Sequence, residues 1–148
     1  MKIIRINEHY LPKLVTVFEE YRAFCDCEPS PKETYEFLAK LVRNEGSVMF
    51  IAVDSDSDSV MGFVNLYPSY SSLALKRLWI LNDLGVSSDF RGKNVSKALI
   101  QRVQSFAKET QAIRIELKTG KENQRAMQLY RAMNFEIDND NVYYRVPC

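Results

Sequence analysis

Histidine is nearly absent from this chain, cysteine and glycine are scarce, and long apolar runs are missing. His9 is the single histidine. One imidazole cannot build a histidine-rich metal centre, and a Ser–His or Cys–His nucleophile pair would have to rest on His9 alone. Its place between a β-rich and a helical segment reads instead as a strand-to-helix junction. The three cysteines are Cys25, Cys27 and Cys148. An odd count without regular spacing is a poor disulfide framework, and Cys25-x-Cys27 is one residue short of a C-x-x-C knuckle. No metal site is expected. The five glycines fall at positions 46, 62, 85, 92 and 120. Neither G-x-G-x-x-G nor G-x-x-x-x-G-K passes through them, which disfavours the standard NAD and ATP sites. No stretch approaches the roughly 20 apolar residues that span a bilayer. The opening MKIIRINEHY lacks the apolar core and cleavage site of a signal peptide, so a cytoplasmic protein is expected. With 20 basic and 19 acidic residues the net charge is +1. That balance provides no general attraction to nucleic acid or to an anionic membrane.

What is present suits one domain of 148 residues with a core of its own. Residues 2–6 are a β-rich segment, and Leu11, Leu14, Val15 and Phe18 follow at helical spacing. Ser30-Pro31-Lys32-Glu33 predicts a helix start with Ser30 as cap and Glu33 closing a capping box. Tyr35, Leu38, Leu41 and Val42 supply that helix with an apolar face, and Gly46 suits its C-terminal cap. Strands are predicted over 48–53, 60–67 and 77–86, with a polar loop at 68–72. Between the first two lies DSDSDS, Asp54 to Ser59, whose alternating aspartates resemble the opening of a calcium loop. Ser59 stands where that loop needs glycine and Asn65 where it needs glutamate, so a solvated hairpin turn is the better reading. Helices over about 95–107 and 126–133 then alternate with strands at 113–118, 135–137 and 142–146. An antiparallel meander leading into a β-α-β unit predicts an α/β (α+β) fold: a mixed sheet of six to seven strands with helices on both faces. A C-terminal strand at an exposed edge points to a homodimer.

The segment Asp83 to Lys97 carries the chemistry. A strand runs into a short loop holding Arg91, Gly92 and Lys93, and the loop feeds an amphipathic helix. The first turn of a helix leaves N–H groups unpaired and carries partial positive charge, which suits phosphate. Gly92 lets the backbone approach a ligand, and Arg91, Lys93 and Lys97 add charge. The same pattern also fits an ordinary strand–helix connection with a solvated basic loop. Farther on, Asn123 can contact a ligand amide or cap a helix. Tyr130, two turns away, falls on roughly the same face; a tyrosine there serves either as core or as an acid.

Together these two stretches resemble the GNAT superfamily of N-acetyltransferases. The family signature Q/R-x-x-G-x-G/A after a strand ending in L-x-V corresponds here to Arg91-Gly92-Lys93-Asn94-Val95-Ser96 after Leu84-Gly85-Val86. The later pattern N-x-x-A-x-x-L/F-Y-x-x-x-G/N-F corresponds to Asn123, Ala126, Leu129, Tyr130, Asn134 and Phe135. Asn94 replaces the second glycine, and asparagine is the best non-glycine residue for a left-handed turn. Ser96 replaces the small Gly/Ala.

The resemblance implies a GNAT fold and acetyl-CoA as co-substrate. It implies that Leu84, Gly85 and Val86 hold the pantetheine arm by their backbone. Gly92, Lys93, Asn94, Val95, Ser96 and Lys97, beside Arg91, would cradle the pyrophosphate. Asn123 would touch the arm, and Tyr130 would stand near the sulfur as general acid. Around the central strand the chain also resembles the polyamine-type acetyltransferases, which carry Glu-Asp where this chain has Asn82-Asp83. That puts an uncharged residue at the base position. Strand alternation would turn Asp83 to the opposite face, as a structural group or a base acting through water. The resemblance also implies an acceptor pocket built by the first two helices and the 68–76 loop, a region that offers Glu19, Glu20, Tyr21, Phe24, Asp26, Glu28 and Tyr70. The leading reading is transfer to a primary amine of a small molecule. A peptide or protein N-acetyltransferase and a non-catalytic acyl-CoA-binding module are the alternatives.

Overall fold

Five stretches rich in β-branched and aromatic residues pair into one sheet, because such side chains pack well on a pleated surface. They are β1 (Lys2–Arg5), β2 (Val48–Val53), β3 (Val60–Ser71), β4 (Lys76–Val86) and β5 (Ile115–Glu116). In this computed structural model, which describes residues 1–148, their spatial order follows the chain. Pairing is antiparallel from β1 to β4 and parallel between β4 and β5. The helices are α1 (Leu11–Phe24), α2 (Pro31–Arg43), α3 (Val95–Glu109) and α4 (Gln124–Ala132). The chain divides into two compact units, Met1–Lys118 and Thr119–Cys148. No helix is long and apolar enough to cross a membrane.

The mixed sheet with helices is as anticipated, but the strand count is five rather than six or seven. Residues 135–137 and 142–146 form no ladder. Ile137, Val142, Tyr144 and Val146 stand exposed there, and β-propensity makes no strand without a partner edge. The premise for an edge-strand homodimer is therefore missing. The anticipated loop at 68–72 is also absent, because β3 runs on to Ser71. Pro68 pairs with Trp79 of β4, while the β2 ladder already ends at Val48 and Leu66. The missing N–H of the proline faces no third strand, so it costs no ladder bond.

Two layers cover the sheet in the first unit. On one face α1 and α2 bury Leu11, Leu14, Phe18 and Leu38 against Met49, Ile51 and Phe63. On the other, Phe106 of α3 packs on Phe50 and Trp79, and the Trp79 indole donates to Thr110 Oγ1 at 2.8 Å. The face α2 buries is Thr34, Leu38 and Ala39, with Leu41 and Val42 partly buried; Tyr35 is exposed. The DSDSDS segment is a turn: Asp54 accepts from the Ser57 N–H and hydroxyl, and Asp58 accepts from Tyr10 and Lys13.

Glycine scarcity shows in how the helices end. Asp26, Glu45, Gln111 and Asn134 follow the four α-helices with φ between +51° and +70°. Behind each, the next residue donates its N–H five residues back: Cys27 to Arg22, Gly46 to Leu41, Ala112 to Ala107, Phe135 to Tyr130. These are Schellman closures built on residues other than glycine. Gly46 therefore sits one place beyond the left-handed position, which Glu45 holds.

The anticipated capping box at α2 does not form, since Ser30 makes no side-chain cap bond. Glu19 of α1 does the work instead. It accepts the Ser30 N–H at 3.0 Å, the Thr34 hydroxyl and the Arg22 guanidinium. The Thr34 hydroxyl leads in holding the Glu19 carboxyl below its ordinary range; burial opposes, and the Ser30 N–H and Arg22 assist. A depressed native value means the stabilisation is present above the ordinary carboxylate value of about 4.3 and fades as pH falls below it. In Glu19→Gln, urea-unfolding stability should be lower at pH 7 and should fall less steeply than wild type between pH 5 and 3. Parallel curves would refute this linkage.

Candidate active site

β4 carries the site because its two edges are treated differently. Along one edge it pairs with β3 from Lys76 to Val86. Along the other, β5 reaches only Trp79 and Ile80. Beyond Ile80 that edge is uncovered by β5. The Ser87 N–H donates to the Met61 carbonyl at 2.9 Å, on the β3 side. Strand alternation then turns the backbone of Val86 and Leu84 to the uncovered edge, and that of Gly85 and Asp83 toward β3. Unpaired N–H and C=O groups along such an edge suit an amide-bearing chain laid against it.

Two glycines let the helices close on this strand. A Cβ on Gly62 would lie 2.8 Å from the Gly85 carbonyl oxygen and 3.0 Å from Val95 Cγ1. A Cβ on Gly85 would lie 2.7 Å from the Phe63 ring and 3.2 Å from Tyr21 Cβ. Thus α3 begins directly over the end of β4, and α1 packs under it. Past β4 the chain makes a 3₁₀ turn at Ser88–Phe90, whose Ser88 N–H is held by Glu20 at 3.0 Å. Arg91 is extended, Gly92 has φ +77° and Asn94 has φ +60°. The first helical bond runs from the Ala98 N–H to the Asn94 carbonyl at 3.1 Å, so the amides of Val95, Ser96 and Lys97 have no helical acceptor. A Cβ on Gly92 would meet nothing within 4 Å; the glycine serves the backbone turn and leaves space above it. Lys93 lies 5.2 Å from the Phe90 ring. Open space, free amides and basic side chains fit a diphosphate.

A second feature lies on the α1–α2 side of the sheet: a cavity of about 470 Å³. Phe18, Tyr21 and Phe37 give it aromatic walls, Cys25 and Cys27 a thiol rim, and Glu33 and Asp83 its carboxylates. Partial enclosure pushes the Cys25 thiol up, with nearby Cys27 adding to it. It therefore stays protonated at neutral pH and is a poor nucleophile. Of the residues named for this region from sequence, Tyr21 lines the cavity. Glu19 and Glu20 are committed to capping, Phe24 and Tyr70 are exposed, and Asp26 and Glu28 lie outside the lining.

The expected separation of Asn82 and Asp83 onto opposite faces fails. The register pairs Asn65 with Asp83 and Leu66 with Leu81, leaving Asn82 as an extra residue in β4. Such a bulge breaks alternation and re-aims a side chain. Asp83 consequently faces α1 and the cavity, while Asn82 is exposed and its amide donates to Asp83 Oδ2 at 3.0 Å. The Tyr21 hydroxyl donates to Oδ1 at 3.0 Å, and the fully buried Asn65 amide donates to Oδ2 at 2.9 Å. Tyr67 is on the same face; burial pushes its phenol up, the Asn65 amide opposes, and Asp83 adds to the rise. The sequence reading meets Asn65 only as a mismatch to a calcium loop, although one amide inside VMGFVNL is a visible break in an apolar run.

In the second unit, Asn123 caps α4: its Oδ1 accepts the Ala126 N–H at 3.1 Å. The side-chain amide remains as a donor. Tyr130 holds the C3 position of the Schellman closure, and its ring meets Phe135 at 5.7 Å, the hydrophobic contact that accompanies this motif. Burial pushes its phenol above the ordinary value.

The GNAT acetyltransferase family model matches residues 14–135. The chain belongs to the GNAT family of acetyltransferases. It is 31% identical over 131 residues to the uncharacterized N-acetyltransferase YhfO of Bacillus subtilis, covering 88% of this chain and 87% of that one. It is 33% identical over 115 residues to a probable acetyltransferase of Haemophilus influenzae, covering 78% of each. A crystal structure of a probable acetyltransferase superposes with a TM-score of 0.95 at 35% identity, covering 100% of this chain and 98% of that one. The chain is thus an acetyl-transferring enzyme, and GNAT acetyltransferases use acetyl-CoA.

Gly92→Val should weaken CoA binding at least about tenfold, because the branched side chain both resists the left-handed turn and fills the open space. Calorimetric CoA titration checks this. Equal affinity would place the pyrophosphate elsewhere.

Proposed function

We propose that this enzyme transfers the acetyl group of acetyl-CoA to a primary amine of a small molecule, by direct attack and without an acetyl-enzyme. The cavity between α1, α2 and β4 carries the reading. Its volume of about 470 Å³ lies within the range of roughly 300–1,000 Å³ typical of small-molecule pockets. Aromatic walls with two carboxylates suit a cationic amine.

Bound acetyl-CoA supplies an activated acetyl thioester. Leu84, Gly85 and Val86 would hold its pantetheine arm, with the Asn123 amide as a further donor. Arg91, Lys93 and the amides from Gly92 through Lys97 would hold its diphosphate. A strand-end N–H would polarise the reacting carbonyl. An alkylamine with a pKa near 10.4 is only about one part in a few thousand neutral at pH 7, a handicap of roughly 4–5 kcal/mol. Asp83 attracts the ammonium and takes one proton from it, and the lone pair this frees attacks the acetyl carbon. The second proton leaves the nitrogen to water as the adduct collapses to the amide and the C–S bond breaks. Its place in the cavity wall favours it over Asn82, which has no basic group and supports Asp83 through its amide. Tyr130 holds the proton for the departing sulfur, and the raised phenol keeps that proton through neutral and mildly alkaline pH.

Thiol release should be measured with acetyl-CoA and 1,4-diaminobutane, lysine ethyl ester, kanamycin, a lysine-containing peptide and water. Release driven by the small amines is expected; release with the peptide alone would reject the small-molecule reading. Tyr130→Phe should lower kcat by at least about tenfold with CoA affinity unchanged. Unchanged turnover at saturating substrate would remove Tyr130 as the acid.

A further inference from the structure

Asn65 is hard to explain as part of the core. It is fully buried, and Val60 through Leu66 around it are buried along their whole length. Its Oδ1 has no hydrogen-bond partner. An apolar residue of similar size would leave no orphaned oxygen there. What the asparagine does provide is a donor aimed across the ladder at Asp83 Oδ2. Tyr21 provides the other from α1, on Oδ1. Its ring is braced against Phe63 and Phe18 at 5.5 and 5.7 Å. Asn82 completes the set on Oδ2.

A carboxylate offers about four acceptor positions, two on each oxygen. Asn65 and Asn82 take both on Oδ2, and Tyr21 takes one on Oδ1. We propose that Asn65 and Tyr21 are positioning residues that clamp the Asp83 carboxylate so that Oδ1, through its one remaining acceptor position, receives the N–H of the incoming amine. The proposal rests on the reading of Asp83 as the base. One proton passes from the ammonium nitrogen to Oδ1, the lone pair so freed bonds to the acetyl carbon, and the C–S bond breaks as the nitrogen loses its second proton to water. The other titratable or charged groups on this side are Arg22 and Cys25 at the end of α1, Cys27 in the next loop, Glu33 of α2 and Tyr67 of β3. Arg22 is engaged by Glu19 and the Glu28 carbonyl.

A double-mutant cycle tests the clamp, using acetyl-CoA and the fastest amine of the panel above. Asn65→Leu and Tyr21→Phe should each lower kcat/KM about tenfold and move the acidic limb of its pH profile upward, since each removes a donor that favours the charged carboxylate. Asn65→Leu should keep wild-type thermal stability or gain some. In an Asp83→Asn background neither substitution should lower kcat/KM further. An acidic limb that stays in place in both single variants, or full extra losses in the Asp83→Asn background, would overturn the clamp. Should Asn65→Leu fail to fold, Tyr21→Phe runs the same cycle. A wild-type profile in Asp83→Asn would instead overturn the base assignment beneath it.

Discussion

One extra residue in β4 sets the geometry on which the rest depends. With Asn82 inserted opposite the Asn65–Leu66 step, the strand carries Asp83 onto the α1 face beside Tyr21 and Asn65. The same strand keeps its backbone alternation at Leu84 and Val86, toward the edge that β5 leaves uncovered. Acid and edge are separated by a residue or two of chain. A carboxylate and a main-chain ladder can therefore act on two different partners from one rigid element, which needs no loop to position it.

Carboxylates of α1 serve the architecture rather than the chemistry. Glu19 caps the start of α2, and Glu20 holds the Ser88 amide before the Arg91–Asn94 loop. Both are charge-assisted bonds that satisfy orphan backbone donors, and each sets the direction of an element bordering the site. Left-handed backbone positions follow a similar economy. With few glycines available, Asp26, Glu45, Gln111 and Asn134 close the helices. The closure at Asn134 also fixes Phe135 against Tyr130, so the backbone conformation of a helix end orients a side chain read as catalytic.

Much of the fold was legible. Hydrophobic period separates the four helices from the first four strands, and the turn at Asp54 to Ser59 announces itself by composition. The capping role of Asn123 follows from its place before an apolar-periodic run. Asn94 takes the left-handed turn that asparagine tolerates best. The misses share a cause. Strands at 135–137 and 142–146, the loop at 68–72 and the Ser30–Glu33 box are local readings, and each is decided by a partner elsewhere. The first form no ladder, the β4 ladder extends β3 through the second, and Glu19 displaces the third.

The residues themselves determined the element order and the loop-to-helix turn with its free amides, because periodicity and helix-end chemistry act within a few residues of chain. They also carried the two family patterns. Only the tertiary structure decided which carboxylate faces the cavity. A bulge is a mismatch between two strands, invisible in either one alone, and it moved Asp83 to the face that alternation had denied it. The same holds for Asn65, an anomalous amide in an apolar run until the register places it across from that carboxylate.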